Sequence, residues 1–382
     1  MSKTRLVVFS DDWGRHPSSC QHLIRNLLGD YEVYWVNSIG TRRPGLDWYS
    51  VRRGFAKLRS WMVTGVSSSV KAPGEPTVLQ PLMWPSYRSR LGRQFNCWSL
   101  DKAVRLQLCQ PGNAIGVTTL PIVADLVGRL PVDSWVYYCV DDLSRWPGLD
   151  KVSLELMERE LVERVDEVIA VSDYLVRRMK SLGRSSHLLT HGVDPEFWLE
   201  PRGEAPAFLQ GLAHPLVVFW GVIDQRLDVE WLKALNGLLK TGTVVLVGPE
   251  NNPPREIRDL GRVYMSGALG LEALPWVAAM ANVLIMPYAI SPATRAMQPL
   301  KLKEYLATGK PVVSSCIPAV EEWRDACDVE SSPEAFAAKV VHRTRSGTPS
   351  EQAEARRRLD SESWSTKAET FKRLVGDCGE GV

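Results

Sequence analysis

Short runs of β-branched and aromatic residues recur along this chain, each followed by a segment of helix length, and the alternation begins twice. Leu6–Ser10, Val33–Asn37, Ala114–Thr118, Ser134–Val140 and Glu167–Val171 are the strand candidates of the first series. Leu216–Trp220, Thr243–Val247, Val263–Ser266, Val283–Pro287 and Pro311–Ser314 form the second. Helices are expected at Cys20–Leu28, Glu155–Val165, Val229–Leu239, Leu271–Ala279, Leu300–Thr308 and Pro333–Arg343. Strands buried on both faces read as continuous apolar runs, and parallel strands need a long crossover, usually a helix. The pattern therefore predicts an α/β protein with two parallel sheets, one per series. A length of 382 residues suits two domains. The prolines and glycines of Glu200–His214 mark the entry to the second. The polar tail has an apolar side in Trp364, Phe371 and Leu374, so a docked terminal helix is expected.

Composition removes several classes. At 45% hydrophobic and 24% charged residues, the chain is neither disordered, collagenous nor a coiled coil. A net charge of only +2 argues against nucleic acid as a partner. No stretch approaches the roughly 20 apolar residues of a spanning helix. Leu6–Phe9 is too short for the core of a signal peptide and lacks a cleavage site. Seven scattered cysteines without a CxxC pair form no disulfide or zinc framework, which predicts reduced thiols in the cytoplasm.

One region departs from this balance. Between Gly40 and Gln110 there are twelve Lys and Arg against three Asp and Glu. The basic residues alternate with rings in two clusters, one from Arg42 to Met62 and one comprising Trp84, Tyr87, Arg88, Arg90, Arg93, Phe95 and Trp98. Such mixtures suit an anionic membrane surface, where rings settle among headgroups. An ordinary basic face, or stacking on single-stranded nucleic acid, are the other readings.

Five segments carry candidate chemistry. Ser10–Ser19 follows the first strand and opens a helix, where backbone N–H groups can meet an anion; Gly14, Arg15 and His16 are its candidate binding residues. It lacks GxGxxG, so a dinucleotide-dependent dehydrogenase loses support. Val136–Ser144 ends a buried strand in Asp141 and Asp142; one carboxylate is expected to serve chemistry (Asp141) and one structure (Asp142). Thr190–Trp198, with its His-Gly-Val-Asp-Pro, reads by chemistry alone as a linker. Gly221 and Gly248 each follow a strand directly, where a missing side chain admits a ligand. The last segment is Met286-Pro287-Tyr288 followed by Gln298–Ser314, with Pro299 opening a helix and Gly309 closing it. Lys301 falls in the first turn, where the helix dipole repels a cation, so an anionic ligand such as a diphosphate is expected. Glu304 lies three residues on, where it can accept bonds from ribose hydroxyls or form an ordinary ion pair with Lys301.

PLKLKEYLATGKPVVSS, HGVDPEFW, DEVIAVSDYLVRRM and the restarted alternation resemble the GT-B glycosyltransferases of bacterial polysaccharide assembly. The teichuronic-acid-biosynthesis type, with its Cys-Val-Asp-Asp segment, and the xanthan glucuronosyltransferase-like enzymes are the most similar in flavour. The resemblance runs from Leu6 to about Glu322 and is weakest in the basic insert. It implies two Rossmann-like domains with parallel sheets facing a central cleft. Residues 1–190 would hold the acceptor, with the insert 40–110 and a helix over 361–378 packing back on them; residues 191–360 would bind the nucleotide-sugar. Lys301 would face the diphosphate, Glu304 the ribose, and Gly221, Gly248, Tyr288 and Leu302 the nucleotide. The implied partners are a UDP- or GDP-sugar, a saccharide or lipid-linked acceptor, and a membrane surface reached through 40–110. The implied location is cytoplasmic, peripheral on the inner membrane face, and no metal or other cofactor is expected.

Two departures bear on the reaction. Many retaining members carry two glutamates with seven residues between them, the second at the place of Glu304; the earlier place here is Ala296, so that pair is broken. Many also carry a histidine before the aspartate where this chain has Val140-Asp141. Both favour an inverting transfer with Asp141 as general base. A retaining transferase, a nucleotide-sugar epimerase of the same architecture or a catalytically degenerate scaffold are the alternatives.

Overall fold

A computed structural model describes residues 3–14, 18–37, 74–84, 87–108, 113–146 and 148–376. The chain divides into two compact units, Met1–His191 with Trp364–Val382, and Gly192–Ser363.

The first unit is built on seven strands: β1 (Arg5–Ser10), β2 (Glu32–Asn37), β3 (Thr77–Leu79), β4 (Ala114–Thr118), β5 (Ser134–Cys139), β6 (Glu167–Ala170) and β7 (His187–Leu188). All run parallel, in the order β3-β2-β1-β4-β5-β6-β7. Every residue of β1 and of β5 is buried, as the uninterrupted apolar runs require of strands covered on both faces. The helices are α1 (Ser19–Arg25), α2 (Arg90–Arg105), α3 (Lys151–Arg164) and α4 (Asp173–Ser181). Serines start three of them: the side chains of Ser18, Ser89 and Ser172 accept from the backbone N–H groups of Gln21, Gly92 and Leu175.

The second unit has β8 (Leu216–Trp220), β9 (Ile223–Asp224), β10 (Thr243–Val247), β11 (Glu250–Asn251), β12 (Val263–Gly267), β13 (Val283–Met286), β14 (Val312–Ser315) and β15 (Asp328–Glu330). Its main sheet runs β12-β10-β8-β13-β14-β15, all parallel, and β9 pairs with β11. Around it lie α5 (Pro195–Leu199), α6 (Val229–Leu238), α7 (Leu274–Met280), α8 (Pro292–Ala296), α9 (Leu300–Ala307), α10 (Pro333–Ser346) and α11 (Ser350–Ala355). The helix expected over Leu271–Ala279 is a 3₁₀ turn, Leu271–Ala273, followed by α7; Pro275 lacks an N–H and suits only the first turn of a helix.

The terminal helix α12 (Trp364–Gly376) belongs to the first unit and buries Trp364, Ala368, Phe371 and Val375 there. Phe371 meets Tyr138 of β5 edge-on at 6.1 Å, and Trp364 stacks on His22 of α1 at 5.1 Å. The tail docks because its apolar stripe has a partner, the i, i+4, i+7 spacing of Trp364, Ala368 and Phe371.

In each sheet the chain lays strands outward to one side, returns, and proceeds to the other. The connections diverge between β1 and β4 in the first unit and between β8 and β13 in the second. At such a switch point the loops after adjacent strands part and leave a crevice at the carboxyl edge.

Candidate active site

The switch point of the second unit gathers most of the residues singled out by sequence. β8 ends at Trp220, and Gly221 follows with φ of 138°; β10 ends at Val247, and Gly248 follows with φ of 148°. A Cβ on Gly248 would lie 1.9 Å from the carbonyl oxygen of Gly221, and one on Gly221 would lie 2.2 Å from Nζ of Lys301. The two glycines thus let adjacent strand ends close up and let the lysine lie along the backbone, which no other residue would permit.

Lys301 projects from the first turn of α9. Its ammonium lies 4.4 Å from the ring of Phe219 and 5.2 Å from that of Tyr288, and donates to the Tyr288 hydroxyl at 2.5 Å. The π-faces and the hydroxyl steady the charge without neutralising it. Lys301 forms no ion pair among the described residues. Tyr288 is itself held: it follows β13, is 1% exposed, and bridges Leu227 in antiparallel fashion.

Glu304, one turn along α9, does not pair with Lys301. Its Oε2 accepts from the indole N–H of Trp220 at 3.0 Å, while Oε1 accepts no bond from a described residue. Burial pushes its carboxyl above the ordinary value, against the pull of that indole and of the Lys301 charge. Trp220 is fixed from three sides. Its backbone N–H donates to the Tyr305 hydroxyl at 2.9 Å, its ring meets Tyr305 edge-on at 4.2 Å, and it stacks on Trp198 at 5.3 Å and 7°. Trp198 comes from the His-Gly-Val-Asp-Pro-Glu-Phe-Trp segment, so that segment supplies a wall of the cluster rather than serving only as a connection. Leu302 points the other way, into the hydrophobic core.

Sequence reasoning quoted the segments that hold Phe219, Trp220 and Tyr305 but gave these three rings no role. Their signal was position: a large ring immediately before a strand-end glycine, and a tyrosine next to Glu304. Asp224, which ends the same strand-loop segment, likewise carried no assigned role; it forms a buried pair with Arg226, Nε to Oδ1 at 2.9 Å. The backbone oxygen of Arg226 accepts from Ala289 N–H at 2.8 Å, which seats the segment after Tyr288.

In the first unit Asp141 follows β5 and is partly exposed, whereas Asp142 is 1% exposed. Asp142 accepts from Ser144 Oγ at 2.5 Å and from the Tyr174 hydroxyl at 2.9 Å, and lies 3.4 Å from Arg178. Arg178 also binds Glu158, whose carboxyl accepts from the Tyr137 hydroxyl at 2.9 Å. The neighbouring carboxylates therefore have different surroundings, one locked in a buried ionic network and one beside it at the strand's open end.

The loop after β1 is ordered by Asp11, which accepts from Ser10, Ser18 and Gln21, each at 3.0 Å; burial raises its pKa against those bonds. Gly14, with φ of 74°, donates its N–H to Gln21 Oε1 at 3.1 Å. Arg15 and His16 lie outside the described residues, as does the Arg42–Met62 cluster. Among the described residues no group of three or more His, Cys, Asp or Glu could hold a metal ion, and no helix is long and apolar enough to cross a membrane.

Comparison with known proteins places these features. Residues 214–345 match the family described as glycosyl transferases group 1. The Bacillus subtilis (strain 168) protein named for teichuronic acid biosynthesis, glycosyltransferase TuaH, is 31% identical over 177 residues. That match covers 44% of this chain and 44% of the relative, so it spans less than half of either. Among solved structures, sucrose-phosphate synthase from Thermosynechococcus elongatus superposes with a TM-score of 0.72 at 16% identity, covering all of both chains. Anabaena HepE in complex with UDP and glucose gives 0.66 at 13% identity, over 98% of this chain and all of that one. Trehalose-6-phosphate synthase from Burkholderia multivorans gives 0.64 at 13%, over all of this chain and 98% of the other. These likenesses show the fold. The chain has the GT-B fold, and residues 214–345 of its second unit match the glycosyl transferases group 1 family.

Proposed function

We propose that this protein is a glycosyltransferase that moves a sugar from a UDP- or GDP-sugar to a saccharide or lipid-linked saccharide in glycan biosynthesis. The observation that carries the reading is Lys301. A lysine in the first turn of a helix, held over two rings and against Gly221, with no carboxylate partner among the described residues, suits a doubly charged phosphate group. Glu304 lies three residues on along the same helix, and a carboxylate there can accept bonds from ribose hydroxyls. The group 1 family match and the name of the Bacillus subtilis relative support the reading, and the Anabaena neighbour of like fold was solved with UDP and glucose.

In this reading the second unit takes the nucleotide-sugar, through Lys301, Glu304, Gly221, Gly248 and Tyr288, and the first takes the acceptor. The transfer is inverting. Asp141 accepts the proton of the acceptor hydroxyl while that oxygen bonds to the anomeric carbon, the bond from carbon to diphosphate breaks, and Lys301 balances the departing charge. Asp141 is partly exposed directly after β5, whereas Asp142 is buried in the ionic network. The reaction requires no metal, and the protein works from the cytoplasmic side as a peripheral enzyme of the inner membrane face.

Thermal stabilisation by a panel of UDP, GDP, TDP, ADP and their sugars tests the donor site. A ligand at about 100 times its Kd adds roughly 2.7 kcal/mol when it binds only the folded state. One nucleotide should stand out; silence across a concentrated panel would sink the reading. The anomeric configuration of the product, read by NMR, tests inversion.

A further inference from the structure

Glu304 is held by a donor that carries no charge. The indole N–H of Trp220 reaches its Oε2 at 3.0 Å, across 84 residues of sequence. Lys301 stands three residues before Glu304 on α9, a spacing that allows an ion pair. Lys301 turns instead to the Tyr288 hydroxyl and lies over the rings of Phe219 and Tyr288. An ion pair would set the two charges against each other rather than toward a ligand. An indole has one N–H and no charge, so it steers a carboxylate and leaves the negative charge and the remaining lone pairs in place. Trp220 and Gly221, adjacent at the end of β8, thus serve the two side chains separately. The indole holds the carboxylate, and the missing side chain makes room for the ammonium.

The indole can steer because it is itself immobilised. Trp220 is 3% exposed, between Trp198 flat against its ring at 5.3 Å and Tyr305 edge-on at 4.2 Å. Trp198 in turn meets Phe197 edge-on at 5.2 Å. The last torsion of a glutamate is broad and roughly two-fold, so fixing one oxygen fixes the other. Burial pushes the Glu304 carboxyl up, while the indole bond and then the Lys301 charge pull it down. The bond from Trp220 therefore favours the ionised form, which only accepts.

We infer that Trp220 is a positioning residue that makes this site discriminate ribose from deoxyribose. The inference rests on the nucleotide-sugar reading above, in which Glu304 takes the vicinal hydroxyls of a ribose. A site built to bond hydroxyls rejects an analogue lacking them, because its buried polar groups are then left unpaired. Trp220 acts through Glu304 and not on the ligand. A core aromatic without this role would change the affinity of every nucleotide alike.

The test is titration calorimetry of the full chain with UDP and GDP, each beside its 2′,3′-dideoxy analogue. The readout is the ratio of dideoxy to ribo Kd, in which effects on the diphosphate end cancel. For the nucleotide that binds, the wild type should give a ratio of about 10–100, the range for bonds to a charged acceptor. Trp220→Phe keeps a ring between Trp198 and Tyr305 and removes the donor. Its ratio should fall at least about fivefold, with the dideoxy Kd within about twofold of the wild type. Benzothienylalanine at the same position exchanges the N–H for sulfur and keeps the shape. It should act likewise, and it decides the matter where Trp220→Phe fails to fold. In Glu304→Ala the ratio should drop to about 1, and adding Trp220→Phe should change it no further, the mark of a residue acting through another. A wild-type ratio without the indole N–H, or no discrimination by the wild type, overturns the inference and leaves the nucleotide-sugar reading standing. Absence of binding by every nucleotide overturns both.

Discussion

Lys301, Glu304 and the two strand-end glycines act through what each lacks or leaves open. Among the described residues Lys301 has no ion-pair partner, and Glu304 spends one oxygen on Trp220 and leaves the other. Lys301→Ala should weaken nucleotide binding by about 2–3 kcal/mol, the range for hydrogen bonds to charged groups, with little loss of thermal stability. Titration calorimetry decides it; unaltered affinity would remove Lys301 from the diphosphate. Gly248→Ala is a different kind of change. Its Cβ would collide with the backbone oxygen of Gly221 at a φ few side chains adopt, so stability should fall by a few kcal/mol, seen in urea midpoints. Asp141→Asn should fold and bind nucleotide as the wild type does, yet lose about 10²–10⁴ in turnover, the usual contribution of a general base. Full turnover in that variant would eliminate Asp141 as the base.

At the scale of elements, the first unit is completed by a helix that arrives from the far end of the chain. His22 of α1 stacks on Trp364 of α12, and burial together with the Arg25 charge lowers its pKa from 6.5 to about 4. A histidine with a depressed folded pKa binds fewer protons folded than unfolded. Its contribution is full above about pH 6.5 and is lost as the pH falls towards 4. Asp11 and Glu158, whose carboxyls are raised by burial, work in the opposite sense, so the comparison has to be with a variant. Wild-type stability should therefore fall more steeply than that of His22→Gln between pH 6.5 and 4, as followed by denaturant melts. Parallel slopes would show that the stacked ring does not titrate in this window. The same junction depends on Phe371, 1% exposed, for which truncation to Ala should cost about 3–5 kcal/mol.

At the scale of the whole molecule, each unit has its own sheet and its own apolar interior, so each should melt as its own transition. Calorimetry with the bound nucleotide should raise one transition, that of Gly192–Ser363, while Phe371→Ala lowers the other. A single transition moved by both would mean that the units unfold as one. The α/β class and most of the strands were legible beforehand because a buried parallel strand must be an unbroken apolar run. Leu216–Trp220 and Thr243–Val247 are the strands found. Edge strands such as β7, with both residues exposed, carry no such run and left no mark in the sequence. The same limit applied to the candidate site. Lys301 and Glu304 were singled out through the Pro and Gly that bound their helix, whereas no local signal placed Trp198, Trp220 or Tyr305 beside them.

Periodicity, caps and punctuation are local properties, and from them the sequence alone determined where the central strands lie, the parallel sheets and the helix that bears Lys301. Which side chains meet is a matter of closing distant loops, and only the tertiary structure decided it. Trp220 and Glu304 are 84 residues apart, and their bond follows from β8 lying beside α9 in the folded unit. An i,i+3 ion pair between Lys301 and Glu304 was equally allowed by spacing. The packed core turned the lysine to Tyr288 and the glutamate to an indole, because the rings of Phe219, Tyr288 and Trp220 occupy the space around α9.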